Sequence, residues 1–159
     1  MGRGNLRLVL LLWWSLGTIT ILAQHRSIAL APRTSRTSGL ALEILRGADY
    51  VSLGPAGFAA VTPSPVLAWR ALIEDPEAPT LFQRLLRDAS PAGQVYAMAG
   101  LYLVDLDAFR AGLPILRSHP SPIRWQDGCI VTDLEHEGAI AWLQNGTLTR
   151  RLLATTLRR

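Results

Sequence analysis

The side chains with the most reactive chemistry lie in residues 119–137. Cys129 is the single cysteine of the chain, and His119 and His136 flank it in the sequence. A histidine that accepts the thiol proton makes a cysteine nucleophilic, and a cysteine with histidines and carboxylates can hold zinc. The spacing matches no known motif, since the chain has no paired CxxC and no pair of histidines with a glutamate on one helix. A small thiol- or metal-dependent enzyme using Cys129 with His119 or His136 is therefore the alternative function, and no cofactor is predicted.

The same residues also have a structural interpretation, which the sequence favours. Cys129 adjoins Ile130 and Val131 in a segment of β-forming residues, so we expect a small buried side chain on a strand. A lone cysteine forms no internal disulfide, so packing must hold the fold even in an oxidising compartment. His136 stands between two glutamates, and we expect it at the solvated start of a helix.

Aromatic residues provide a second kind of candidate site. Tryptophan and tyrosine are favoured at protein interfaces because they combine an apolar ring with a polar tip. Trp125, which lies near a predicted turn, and Tyr102 are the candidates for an interaction surface. A place in the core is the interpretation that the sequence favours for both, because a small domain needs large apolar side chains to bury.

Residues 1–23 have the layout of an export signal. Arg3 and Arg7 precede residues 8–23, LVLLLWWSLGTITILA, which carry no charge. A positive start followed by a short apolar run is typical of a signal peptide, which would be cleaved here near Ala23. An uncleaved membrane anchor over residues 6–23 is the alternative, although sixteen helical residues cover only about 24 Å of a hydrocarbon core of about 30 Å. Either interpretation predicts export, to a periplasmic, extracellular or membrane-anchored location.

The charge of the chain is unevenly distributed. Residues 37–149 hold 7 arginines against 12 acidic residues, and the other arginines lie in residues 1–36 and 150–159. Nucleic-acid binding needs a basic face on the folded part, so no nucleic-acid partner is predicted. The arginine-rich end leaves binding to anionic lipid as a third possibility. All 16 basic residues are arginine, which indicates the coding bias of a GC-rich bacterial genome.

The remaining chain divides into a linker and a domain. Residues 24–39 are polar and without period, so a flexible linker is predicted there, and residues 40–159 form a single globular, helix-rich domain. A short strand is expected within residues 48–53 and a second extended piece at residues 57–61.

The last third of the domain predicts a small β element and two helices. Asp127 and Gly128 lie between two β-type runs, as in a β-hairpin. Asp133 is then expected to cap a helix that ends at Asn145-Gly146, and Thr147 to begin a last helix.

Residues 90–119 predict a helical hairpin around which the domain is organised. Ser90 suits the N-cap of the first helix and Pro91 its first position. One face of that helix carries Val95, Met98, Ala99 and Tyr102. Asp105 or Asp107 can cap the second helix, whose apolar positions recur at helical spacing: Phe109, Leu113 and Leu116.

A second helical hairpin is predicted over residues 64–89, where Ser64 and Pro65 repeat the Ser-Pro start and Pro76 limits the first helix. The two hairpins together resemble HEAT-type helical repeats over residues 64–118. The positions that carry the resemblance are Ala97, Gly100, Leu101, Phe109, Leu113 and Pro114. The resemblance implies an extended helical face for partners and requires flanking segments to cap the pair. The helical glycines Gly93 and Gly100 are expected where another helix packs closely.

These features predict an exported α+β domain, mainly α, with two HEAT-like helical hairpins followed by a short β-hairpin and C-terminal helices. Helical hairpins offer extended faces to other proteins. We therefore expect a non-catalytic protein-binding or scaffolding module of the bacterial cell envelope, whose partner is another envelope protein.

Overall fold

The computed structural model describes residues 36–57, 59–118 and 121–155. In this part of the chain seven helices and three strands follow in the order α1 (Arg36–Arg46), β1 (Val51–Ser52), α2 (Ser64–Ile73), α3 (Ala78–Asp88), α4 (Pro91–Val104), α5 (Leu106–Arg117), β2 (Ile123–Asp127), β3 (Ile130–Leu134), α6 (His136–Gln144) and α7 (Thr147–Ala154). The fold is α+β and mainly α, as predicted. Within the described residues no helix is long and apolar enough to cross a membrane. The predicted export segment, residues 1–23, lies outside them.

Helix α4 is the centre of the fold. It contacts each of the other six described helices and strands β1 and β2. The sequence predicted one buried face, but residues 95–101 are all buried, together with Ala92 and Gly93. A helix that is apolar all round is typical of a core element that is covered on every side.

The capping chemistry of α4 and α5 follows the prediction. The Ser90 hydroxyl accepts a hydrogen bond from the Gly93 amide at 3.1 Å, and Pro91 occupies the first turn. At the start of α5 the Asp105 carboxylate accepts from the Ala108 amide at 2.9 Å. Each bond satisfies a backbone donor that has no partner within its own helix. Asp105, and not Asp107, is therefore the cap.

The close packing predicted at the helical glycines is confirmed. A Cβ added to Gly93 would overlap the Leu45 carbonyl oxygen of α1, and one added to Gly100 would overlap the Phe82 ring of α3. Glycine at these two positions lets α1 and α3 approach the α4 backbone closely.

Two helices begin differently from the prediction. Ser64 is the first residue of α2 and makes no side-chain cap, because Pro63 is extended and its carbonyl accepts from the Val66 amide at 3.0 Å. Helix α1 begins at Arg36 and thus includes residues that the sequence analysis assigned to a linker. The buried Ser38 hydroxyl donates to the Asp75 carboxylate, which accounts for a polar residue on the inner face of α1.

The sheet has the order β1-β2-β3, with β1 parallel and β3 antiparallel to β2. Asp133 pairs with Arg124 inside β3, so the prediction that Asp133 caps the next helix is wrong. The buried Ile123, opposite Leu134, extends the ladder past this position, and α6 begins only after Glu135.

The remaining connections are short. An isolated bridge joins Ala56 to Val61, and the Ala60 amide donates to the Gly57 carbonyl at 3.1 Å, where the sequence predicted a second extended piece. Helix α6 ends before Asn145, and Gly146 takes the left-handed conformation with φ +69° before α7, as the predicted Asn-Gly boundary requires.

Tyr96 joins the helical body to the sheet. Its side-chain oxygen accepts a hydrogen bond from the Ser52 amide of β1 at 2.9 Å, and its carbonyl accepts from Trp69 Nε1 at 3.0 Å. Burial raises the pKa of Tyr96 well above the usual tyrosine range, against the smaller lowering effect of the Ser52 amide.

Candidate functional site

Cys129 lies on the turn between β2 and β3 and is exposed. Asp127 pairs with Ile130, so the turn has two central residues, of which Gly128, with φ +61°, is the first. A glycine at this first position is the pattern of a type II′ turn. The prediction of a buried cysteine on a strand is wrong, because the strand begins one residue later.

The structure does not bring Cys129 and His136 together. They lie at opposite ends of β3, whose five residues separate them by about 14 Å at about 3.4 Å per residue. A thiol–imidazole pair needs contact within about 3 Å. Across the described residues, no group of three or more metal-ligating side chains is clustered. His119, the other partner suggested by the sequence, lies outside the described residues.

His136 borders a cavity of about 350 Å³ at the far end of the hairpin. The cavity is lined by Ser121, Pro122, Asp133, Leu134, Glu135 and His136. His136 is the first residue of α6, so the predicted helix start is confirmed. Both of its ring nitrogens are buried without a hydrogen-bond partner, so the prediction that the side chain is solvated is wrong for these atoms. Because the nitrogens are covered, the imidazole cannot ligate a molecule in the cavity unless the ring moves.

The two aromatic candidates are packed against other rings. Trp125 is buried, with its ring centroid 5.4 Å from that of Trp142. The half-buried Tyr102 packs edge-to-face on Phe109 at 5.3 Å. Trp125 therefore belongs to the core, as the favoured interpretation predicts, and its alternative role on an interaction surface is wrong.

A cleft of about 250 Å³ beside the sheet contains a charged pair that the sequence analysis missed. The Arg151 guanidinium lies 5.2 Å from the Trp142 ring centroid and 3.7 Å from the Asp127 carboxylate. Residues distant in sequence form this pair, so no local pattern in the sequence predicts it. Arg151 contacts a ring of α6 and a carboxylate of β2 and thereby ties α7 to both.

A groove between α1 and α2 has an almost entirely apolar lining. It encloses about 230 Å³ and is lined by Thr37, Leu40, Ala41, Ile44, Ser64, Leu67, Ala68 and Ala71. Leu40 and Leu67 stand on its two walls with 64% and 51% of their surfaces exposed. Sequence reasoning missed this surface because the apolar part of α1 is too short to show a helical period.

Comparison with known proteins adds no relationship: no family model, curated protein or solved structure matches this chain.

Proposed function

We propose that this chain is a non-catalytic protein-binding module of the bacterial cell envelope, and that its α1–α2 groove binds an amphipathic helix of an envelope partner. The exposure of Leu40 and Leu67 on facing walls of one groove supports this proposal most directly. Two large aliphatic side chains exposed side by side are typical of a surface that a partner covers.

The spacing of the groove residues suits a helix as the occupant. The wall on α1 contains residues 37, 40, 41 and 44, and the wall on α2 contains residues 64, 67, 68 and 71. Both follow the i, i+3, i+4, i+7 pattern of one helix face. Two such faces side by side accept the apolar stripe of a third helix, and the alanines between the leucines allow a close approach.

Helix α1 packs on α2 at the start of the described domain and lies outside residues 64–118, for which a resemblance to HEAT-type repeats is predicted. In stacked helical repeats a flanking segment caps the outer pair, and α1 is suited to that role beside α2. We place the partner's helix against the groove that α1 and α2 form, where it would add one more helix to the stack.

Photocrosslinking in intact bacterial cells tests the groove. A photoreactive residue is placed at position 67 of the full chain and, as a matched control, at the exposed Leu103 of α4. We expect position 67 to label one envelope protein and position 103 to leave it unlabelled. Leu40→Glu, which puts a charge into the interface, is expected to reduce that labelling at least tenfold.

Leu103→Glu is the control for the added charge and is expected to leave labelling at position 67 unchanged. Equal labelling from positions 67 and 103, or labelling that survives Leu40→Glu, would contradict the groove as the binding site. Both leucines are more than 40% exposed, so neither substitution disturbs the core.

The thiol enzyme is the second candidate, and its proposed nucleophile, Cys129, is exposed. Reactivity of Cys129 towards a thiol reagent therefore follows from exposure alone and does not distinguish the two functions. The distinguishing variant is Cys129→Ser. We expect it to leave stability within about 0.5 kcal/mol of the parent and crosslinking from position 67 unchanged. If cells carrying Cys129→Ser behave like cells without the protein, while crosslinking from position 67 is unchanged, the enzyme is favoured.

A further inference from the structure

Strand β3 is one of the two outer strands of the sheet. In the described part of the chain it is hydrogen-bonded to β2 on one side only. Ile130 and Val131 are 67% and 45% exposed, and Thr132 and Asp133 are exposed as well. Asp133 is the one charged residue of the strand, which carries no lysine, proline or bulge against edge pairing.

The hairpin determines which backbone groups face outward. Asp127 and Ile130 flank the two-residue turn, so they form a hydrogen-bonded pair. Because backbone groups alternate in direction along a strand, Thr132 and Leu134 also point towards β2. The amide and carbonyl groups of Val131 and Asp133 therefore face the open edge, where they offer two donors and two acceptors.

We propose that β3 pairs with β3 of a second copy of this chain, antiparallel and centred on Thr132. The two three-stranded sheets then become one six-stranded sheet. This inference goes beyond the proposed function and does not rest on it, because no residue of the α1–α2 groove takes part.

Three antiparallel registers bring the outward-facing amides and carbonyls of one β3 opposite those of the second β3. Centring on Thr132 aligns all five strand residues and places Val131 opposite Asp133 of the partner subunit. Centring on Val131 or on Asp133 aligns only three strand residues, and the latter also sets two aspartates face to face. Like charges directly opposite each other destabilise a strand pair, so the first register is favoured.

The same register gives stabilising neighbours to the side chains on one face of the strand, Ile130, Thr132 and Leu134. Ile130 comes to lie beside Leu134 of the partner subunit, which already packs against the core, and Thr132 meets its own copy. Cross-strand aliphatic and Thr–Thr pairs are both stabilising. Asp133 keeps the cross-strand neighbour Arg124 on its own β2.

A contact through one five-residue strand lies at the small end of interface sizes, below about 1,200 Å². We therefore expect a dimer that dissociates on dilution, and a covalent trap is the appropriate probe. Disulfides form when Cα atoms are about 4.4–6.8 Å apart, and a non-hydrogen-bonded antiparallel pair has about 4.5 Å.

The experiment uses the full chain with Cys129→Ser to remove the native thiol. Thr132→Cys is introduced, expressing cells are oxidised, and dimers are separated on a non-reducing gel. We expect Thr132→Cys to give a disulfide-linked dimer. The matched control, Ile130→Cys, stays monomeric because its two copies lie about 14 Å apart in this register. The two copies of native Cys129 would lie about 20 Å apart and also stay unlinked.

Val131→Pro removes one outward amide without touching the ladder to β2, and is expected to reduce the Thr132→Cys dimer at least tenfold. Val131→Lys is the second edge variant, used if the proline variant does not retain the parent's unfolding temperature. Equal crosslinking from positions 130 and 132, a dimer unaffected by the edge variants, or a disulfide between Thr132→Cys and a different protein would each overturn self-pairing.

Discussion

The helical body and the β-hairpin satisfy their buried polar groups to different degrees. Around α4, the Trp69 indole donates to the Tyr96 carbonyl at 3.0 Å, and the Tyr96 side-chain oxygen accepts from the Ser52 amide at 2.9 Å. In the sheet, Trp125 Nε1 and Gln126 Oε1 are buried without a hydrogen-bond partner. His136, at the start of α6 and next to β3, adds two more such atoms. Among the described residues these unpartnered side-chain atoms therefore lie in and beside the β-hairpin and not around α4.

Adding one methyl group to a glycine in each region is expected to give the largest contrast. In Gly93→Ala the new Cβ overlaps the Leu45 carbonyl, a backbone atom that cannot rotate away, so we expect a loss of about 3 kcal/mol. In the hairpin, Gly128 has open space but φ +61°, so Gly128→Ala should cost only about 1 kcal/mol. Thermal unfolding of both variants measures the difference.

Gly39→Ala is the control for these substitutions. Gly39 lies in α1 with no atom within 4 Å of an added Cβ, so alanine should stabilise the domain by up to about 1 kcal/mol through helix propensity. If Gly93→Ala were as well tolerated as Gly39→Ala, the close packing of α1 on α4 would be disproved.

The contact of Tyr96 with β1, which joins the helices to the sheet, is expected to stabilise the domain less at high pH. The pKa of Tyr96 is raised in the folded state, so the stabilisation from its neutral form is fully present below the ordinary tyrosine pKa of about 10. It is lost as pH rises above that value towards the folded-state pKa, by about 1.4 kcal/mol per pH unit, because the unfolded chain has already released the proton.

Tyr96→Phe separates this effect from general alkaline unfolding. The variant leaves the buried Ser52 amide without its acceptor, so we expect a loss of about 2 kcal/mol at pH 7. Chemical denaturation between pH 9 and about 11.5 should then show a shallower decline than in the parent. An equally steep decline in both proteins would remove Tyr96 as the cause.

A matched pair of serines tests the helix starts within the body. Ser90 accepts from the Gly93 amide and donates to the Ala48 carbonyl at 2.6 Å, so Ser90→Ala should cost about 1.5 kcal/mol. Ser64 makes no cap, and Ser64→Ala should stay within about 0.5 kcal/mol of the parent. Urea unfolding distinguishes them, and equal effects would show that the two Ser-Pro starts are equivalent.

The starts of α4 and α5 could be predicted because their signals are local. Ser90 and Asp105 each bond an amide three residues ahead, and such a pattern is visible in the sequence. The hairpin was predicted one residue out of place, because its register depends on burying Ile123 and Trp125 against distant helices. That burial draws Asp133 into the strand.

The candidate surfaces were less predictable than the fold. The exposed apolar face of α1 forms a groove only together with α2. The pairing of β3 with β2 decides which backbone amide and carbonyl groups of β3 face outward. Burial of the His136 nitrogens is also a tertiary property. Residue type identified Cys129 and His136 as reactive groups, but only the length of β3 shows that they are too far apart to react together.

The bridge between Ala56 and Val61 closes a short loop in the chain that connects β1 to α2. The entropy of closing a loop grows only with the logarithm of its length, so lengthening this loop from four residues to fourteen would cost about 1 kcal/mol. The segment between Ala56 and Val61 is thus a permissive site for inserting a short epitope.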